Sequence, residues 1–207
     1  MISHENGLIF IHIPYNSGNE VEQCYLKKSN PFISAFDTKK LAKGEPLIGA
    51  NLSNTIKQFF DYDLFSIVKS PYLRAYDMWV SNQSLIRKTK YKKLTIGEYL
   101  EFILNKYEGF ADLYIGTQKS HLVSTGAMYG INKLEFEVSN LFPYEDIIDN
   151  KFENINSFLE TSHATPFSYF VDTKYDEDWR ENYNKNSINM VNYIFDEDFQ
   201  YCGYQKI

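Results

Sequence analysis

Leu8-Ile9-Phe10-Ile11-His12-Ile13-Pro14-Tyr15-Asn16-Ser17-Gly18-Asn19 is an apolar run that stops at a proline and turns through small polar residues. After it, Val21, Cys24 and Tyr25 recur at i, i+3 and i+4, the spacing of one helical face. Strand, tight polar loop and helix is the arrangement in which backbone N–H groups and a helix N-terminus form a pocket for phosphate or sulfate. A buried first strand followed by an ordinary turn is the plain alternative. Walker A is excluded, because the loop lacks the second glycine and the Lys-Ser/Thr pair.

A second segment has the same form. Leu64-Phe65-Ser66-Ile67-Val68 is apolar up to Lys69, and Ser70 can cap a helix whose first position is Pro71. Tyr72, Ala75, Tyr76, Trp79 and Val80 then recur at helical spacing and predict one buried face. Lys69 is thereby expected at the C-terminal end of a strand, where ligands of open α/β sheets bind.

Together the two segments resemble the sulfotransferase family, in its carbohydrate-type branch. The family's first motif reads approximately I-P-K-T-G-G-T and stands here as Ile13-Pro14-Tyr15-Asn16-Ser17-Gly18-Asn19. Its second, approximately V-R-D/N-P-Y-D-R-x-x-S, stands as Val68-Lys69-Ser70-Pro71-Tyr72-Leu73-Arg74-Ala75-Tyr76-Asp77. Phe142-Pro143-Tyr144-Glu145-Asp146-Ile147 is similar to its R-Y-E-D-L segment. Trp179 to Tyr183 and Ile194 to Tyr204 are similar to its closing segments. The resemblance implies a P-loop-NTPase-like α/β fold with a central, mostly parallel sheet flanked by helices, in one domain over residues 1–207. It also implies transfer of a sulfuryl group from 3′-phosphoadenosine-5′-phosphosulfate to a hydroxyl, that of a carbohydrate above all, with no metal.

By the same resemblance Pro14, Asn16, Ser17, Gly18 and Asn19 would cradle the 5′-phosphosulfate, and Lys69 and Asp77 occupy the positions that hold the 3′-phosphate. His163, in a segment similar to the family's H-L-N-K-S/T, is a further donor-site candidate. Tyr15 stands where the family has the lysine that stabilises the departing phosphate, and His121 is the candidate base. Both histidines have a plain surface role as the alternative, and His12, inside the first strand, reads as a buried core histidine.

Three positions depart from the family. Tyr15 brings a neutral donor in place of a cation, and loss of such a group typically costs about 10²–10³ in rate. Lys69 replaces an arginine, keeping the charge and losing the planar fork. Of the chain's 21 basic residues only Arg74, Arg87 and Arg180 are arginines, a bias of AT-rich coding. Asp77 replaces a serine and would repel a 3′-phosphate, by roughly 4 kcal/mol at about 4 Å and an intermediate dielectric. The ligand then lacks that phosphate, or another residue such as Ser81 serves, or nothing binds there. A catalytically inactive sulfotransferase-fold binding or scaffold protein is therefore the second reading.

Length and composition agree with a core-forming chain: 207 residues, 43% hydrophobic and 17% aromatic. A formal charge of −6 opposes general nucleic-acid binding. The basic run from Arg87 to Lys93 reads as a solvated loop or as a rim attracting an anionic donor or acidic glycan. Cys24 and Cys202 are too few and too far apart for a disulfide framework or a metal site. No signal peptide or membrane span is legible, so the expectation is a soluble, cytoplasmic protein of bacterial or viral type. Thr95 and Glu98 form a capping box for a helix burying Ile96, Tyr99, Leu100 and Ile103. Further helices are expected at Asn54–Phe60, around Phe152, Ile155 and Leu159, and around Ile188, Val191 and Phe195. Leu134, Phe136 and Val138 alternate with glutamates as in a strand with one wet face, and Ser29–Leu47 reads as a long loop.

Overall fold

A computed structural model describes residues 2–3, 6–11, 13, 15–16, 61–87, 94–106, 117–119, 123–124, 136–164, 166–167 and 178–207. His12, Pro14, Ser17 to Asn19, the helix expected from Glu20 on, Ser29–Leu47, Asn54–Phe60, Lys88–Lys93 and His121 lie outside the described residues.

In chain order the first elements are β1 (Ile2–Ser3), β2 (Leu8–Phe10), β3 (Asp63–Val68), α1 (Pro71–Arg87) and α2 (Ile96–Lys106). They are followed by β4 (Val123–Ser124), β5 (Phe136–Glu137), β6 (Asn140–Pro143), α3 (Tyr144–Ile148) and α4 (Glu153–Thr161). A one-turn 3₁₀ helix (Trp179–Asn182), α5 (Lys185–Ile194) and α6 (Asp196–Tyr201) complete the order. The protein is α/β, and its chain forms two compact units: Met1–Val68 with Ser120–Asp172, and Lys69–Lys119 with Thr173–Ile207.

The first unit carries the sheet, in the order β1-β2-β3-β6. The strands β2, β3 and β6 are parallel, with Phe10 opposite Phe65 and Ile67 opposite Phe142, while β1 is an antiparallel edge. Leu8, Ile9, Phe10, Phe65, Ile67 and Val68 are all buried. Such unbroken apolar runs are what parallel strands covered on both faces require. The helix α4 packs through Phe158, whose ring lies 5.5 Å from Phe65 and 5.4 Å from Phe142. Its buried residues Ile155 and Leu159 are those expected from the sequence spacing.

Two helices of this unit end in the same way. After α4, His163 N–H donates to the Glu160 carbonyl and Ala164 N–H to that of Leu159, with His163 at φ 54°. After α3, Asn150 donates to Ile147 and Lys151 to Asp146, with Asn150 at φ 58°. Both are Schellman motifs, in which one left-handed residue reverses the chain and the last carbonyls find donors.

The second unit is helical. Arg74 N–H donates to the Ser70 carbonyl, so α1 starts where Ser70 and Pro71 predict. Tyr72, Ala75, Tyr76 and Trp79 are buried as expected, but Val80 is 48% exposed. Met78 is fully buried instead, so the inward stripe is centred on Ala75, Met78 and Trp79 and leaves Val80 outside it. At the start of α2 Thr95 and Glu98 form the expected capping box: Thr95 N–H donates to Glu98 Oε2 at 2.7 Å, and Glu98 N–H to Thr95 Oγ1 at 3.3 Å. The Thr95 N–H bond first, and then one from the Thr95 hydroxyl to the same Oε2 at 2.9 Å, lower the Glu98 pKa. A second capping box, Asn184 with Ser187, starts α5. Tyr72 is the aromatic centre of the unit, with the rings of Tyr183 and Phe199 at 6.1 and 5.2 Å.

Candidate functional site

The turn after β2 belongs to the first unit. Ile11 continues the ladder by donating to the Phe65 carbonyl, and its own carbonyl accepts from the buried Ser66 hydroxyl at 2.7 Å. Asn16 N–H then donates to the Ile13 carbonyl at 3.2 Å, closing a four-residue turn. Tyr15 holds φ 68° in it, a left-handed conformation uncommon for an aromatic residue. Asn16 is buried, and its side-chain amide donates to the Ile67 carbonyl at 2.9 Å. Of the expected cradle residues, Asn16 therefore fastens the turn to β3 with its side chain and closes the turn with its N–H. The C-terminal ends of β2, β3 and β6 lie at one edge of the sheet, because the three strands run parallel.

Lys69, the next residue after β3, belongs to the second unit. It is 1% exposed, and its ammonium lies 2.6 Å from Asp77 Oδ2, whose side chain is 27% exposed. The backbone of Lys69 is gripped from both sides by one carboxamide. Its N–H donates to Gln118 Oε1 at 2.9 Å, and its carbonyl accepts from Gln118 Nε2 at 2.7 Å. A side chain thus supplies the pair of bonds that a neighbouring strand would otherwise give. Gln118 is fully buried and stands in the short turn 117–119.

Asp198 holds that turn. Its Oδ1 accepts from Lys119 N–H at 2.9 Å, and the whole side chain is buried. Burial pushes its pKa up, against the attraction of the Arg74 guanidinium and the N–H groups of Gln118 and Lys119. Arg74 is itself fully buried, with its guanidinium 5.7 Å from the centre of the Phe195 ring. Among its described residues the second unit therefore buries two cations: Lys69, ion-paired with Asp77, and Arg74, which attracts the Asp198 carboxylate.

The two residues assigned to one phosphate position, Lys69 and Asp77, are thus brought together, and they bind each other. His163 is exposed, its left-handed backbone serves the Schellman turn, and its carbonyl accepts from Asn6 Nδ2 at 3.0 Å. Gln118 and Asp198 escaped the sequence reading. Asp198 had a signal, an acid three residues after Phe195 and one before Phe199, at a point where both flanking rings are buried. Burial pushes the Cys202 thiol up to about 12, so that group is no nucleophile at neutral pH. The phenol of Tyr183 is pushed well up, first by burial and then by the Asp77 charge. Among the described residues no group of three or more His, Cys, Asp or Glu is placed to hold a metal ion, and no helix is long and apolar enough to cross a membrane.

Comparison with protein families, with curated proteins and with solved structures finds no match to this chain.

Proposed function

We propose that the chain is a sulfotransferase of the P-loop-NTPase-like fold, moving a sulfuryl group from an adenosine phosphosulfate donor to a hydroxyl of a carbohydrate. The donor of the resembled family is 3′-phosphoadenosine-5′-phosphosulfate. The observation that carries this reading is the parallel pairing of β2 with β3, which brings the ends of both motif-bearing strands to one edge of the sheet. That edge is where open parallel sheets receive nucleotides.

In this reaction the acceptor oxygen attacks sulfur, the bond from sulfur to the bridging phosphate oxygen breaks, and the nucleotide leaves with that electron pair. The acceptor proton passes to a base, for which His121 is the candidate, since it follows closely on the segment where the family's histidine is replaced by Tyr114. Tyr15 would offer the leaving phosphate a neutral hydrogen bond, so turnover is expected about 10²–10³ below that of a lysine-bearing loop.

The second reading, a binding or scaffold protein without turnover, is favoured by the ion pair of Lys69 with Asp77, which already neutralises the cation assigned to the donor. One experiment separates the two. The full chain is incubated with ³⁵S-labelled donor, with and without a 3′-phosphate, and an oligosaccharide mixture. Label recovered on sugar hydroxyls supports the enzyme. Saturable binding of the adenosine nucleotide product without transferred label supports the binding protein. Neither transfer nor binding removes the chain from the family.

A further inference from the structure

Lys69 and Asp77 form a closed charge pair in which only the acid meets solvent. The lysine is 1% exposed, the aspartate side chain 27%, and the two polar atoms are 2.6 Å apart. Gln118 pins the Lys69 backbone through both N–H and carbonyl, so the stem of the lysine starts from a fixed point. Asp77 lies eight residues further on, in the second turn of the 17-residue α1. A solute arriving here therefore meets a carboxylate whose cation is already engaged behind it.

The sign of that surface selects the ligand. A phosphate dianion gains little from an ammonium that a carboxylate has neutralised, and it is repelled by the carboxylate itself. A hydroxyl is the opposite case, because it can donate a hydrogen bond to the exposed carboxylate and brings no charge to be repelled. The same choice is known in dinucleotide-binding sheets, where an acid accepts a bond from a ribose hydroxyl and a basic residue takes a ribose phosphate.

We propose that Asp77 is a specificity-determining residue that selects an adenosine 5′-nucleotide with a free ribose 3′-hydroxyl and rejects the 3′-phosphorylated form. The inference rests on the sulfotransferase reading for its placement of the ribose. It makes the donor class adenosine 5′-phosphosulfate and the leaving group adenosine 5′-monophosphate.

The test is calorimetric titration of the full chain with adenosine 5′-monophosphate and with 3′-phosphoadenosine-5′-phosphate. Wild type should bind the monophosphate more tightly by at least about tenfold, the ratio that about 1.4 kcal/mol sets. Asp77→Asn and Asp77→Ser should reverse or erase that preference by gaining affinity for the bisphosphate, and adding Tyr15→Lys to Asp77→Ser should change the ratio little. Circular dichroism of each variant shows that the gain or loss belongs to a folded chain, and the wild-type ratio alone stands if a variant does not fold. A wild type that binds the bisphosphate equally or better overturns the proposal and leaves the family reading intact. A folded Asp77→Ser variant with unchanged bisphosphate affinity overturns it too, since Asp77 then does not face the ribose. Binding of neither nucleotide to any variant overturns both readings.

Discussion

At the scale of single residues the described part of the molecule buries the cations Lys69 and Arg74, and pairs Lys69 with Asp77. A charge that is 1% exposed is tolerated only when paired, because the loss of its hydration is several kcal/mol. The Lys69–Asp77 pair should therefore behave asymmetrically. Asp77→Asn leaves the ammonium buried with a weaker partner and should lower stability by about 2 kcal/mol, below the full buried-pair figure because water reaches the aspartate. Replacing both ends, Lys69→Met with Asp77→Leu, removes the charge together with its penalty and should restore most of the loss. Urea unfolding of the two variants and wild type checks this. A double variant less stable than Asp77→Asn would show that the pair itself, and not the avoided orphan charge, stabilises α1. The same pair explains why residue identities alone misled: Asp77 was legible as a departure from the family pattern. That its carboxylate meets Lys69 depends on the rotamers of two side chains eight residues apart.

At the scale of elements, local rules carried the reading where they act within a few residues. Thr95 with Glu98, Ser70 with Pro71, and the buried residues of α2 and α4 follow from capping chemistry and helical spacing. The apolar runs at Leu8–Ile13 and Leu64–Val68 gave β2 and β3 with their order of entry into the sheet. The edge strand β1 was missed although Asn6-Gly7 is a strong turn signal and Gly7 indeed holds φ 61°. A strand of two residues is too short to show a period. The Gln118 clamp on Lys69 was also illegible, since it joins positions 49 residues apart with no repeat or spacing to mark them. One element feature yields a sharp expectation. Gly97 lies near the start of α2, and among the described residues a methyl group there would meet only Ser187 Cβ, at 4.0 Å. Gly97→Ala should thus gain about 0.5 kcal/mol from reduced backbone freedom in the unfolded chain. A rise of about 1–2 °C in Tm is the expected reading, and a fall would mean that α2 and α5 approach more closely than this contact allows.

At the scale of the whole molecule, tryptophan fluorescence distinguishes the two compact units. The chain has two tryptophans, Trp79 and Trp179, and both are buried in the unit formed by Lys69–Lys119 and Thr173–Ile207. Tryptophan fluorescence therefore follows that unit, and with it the state of Asp198, which ties the 117–119 turn to α6. Burial raises the Asp198 pKa in the folded chain above its ordinary value of 3.8. Below that ordinary value both folded and unfolded forms hold the proton, and the stability associated with it is fully present. Between the ordinary and the raised value only the folded form keeps the proton, so stability falls as pH rises through this window. Above the raised value the loss is complete. Most carboxylates that gain partners on folding show the reverse slope, and acid unfolds their proteins for that reason. Asp198→Asn removes the titration and keeps an oxygen for the Lys119 N–H. Urea midpoints read by fluorescence for wild type and Asp198→Asn, across about pH 4 to pH 7, isolate the effect. The midpoint of wild type minus that of the variant should decrease as pH rises. An increase would mean that Arg74 and the two backbone donors outweigh burial, so that the ionised carboxylate stabilises the second unit.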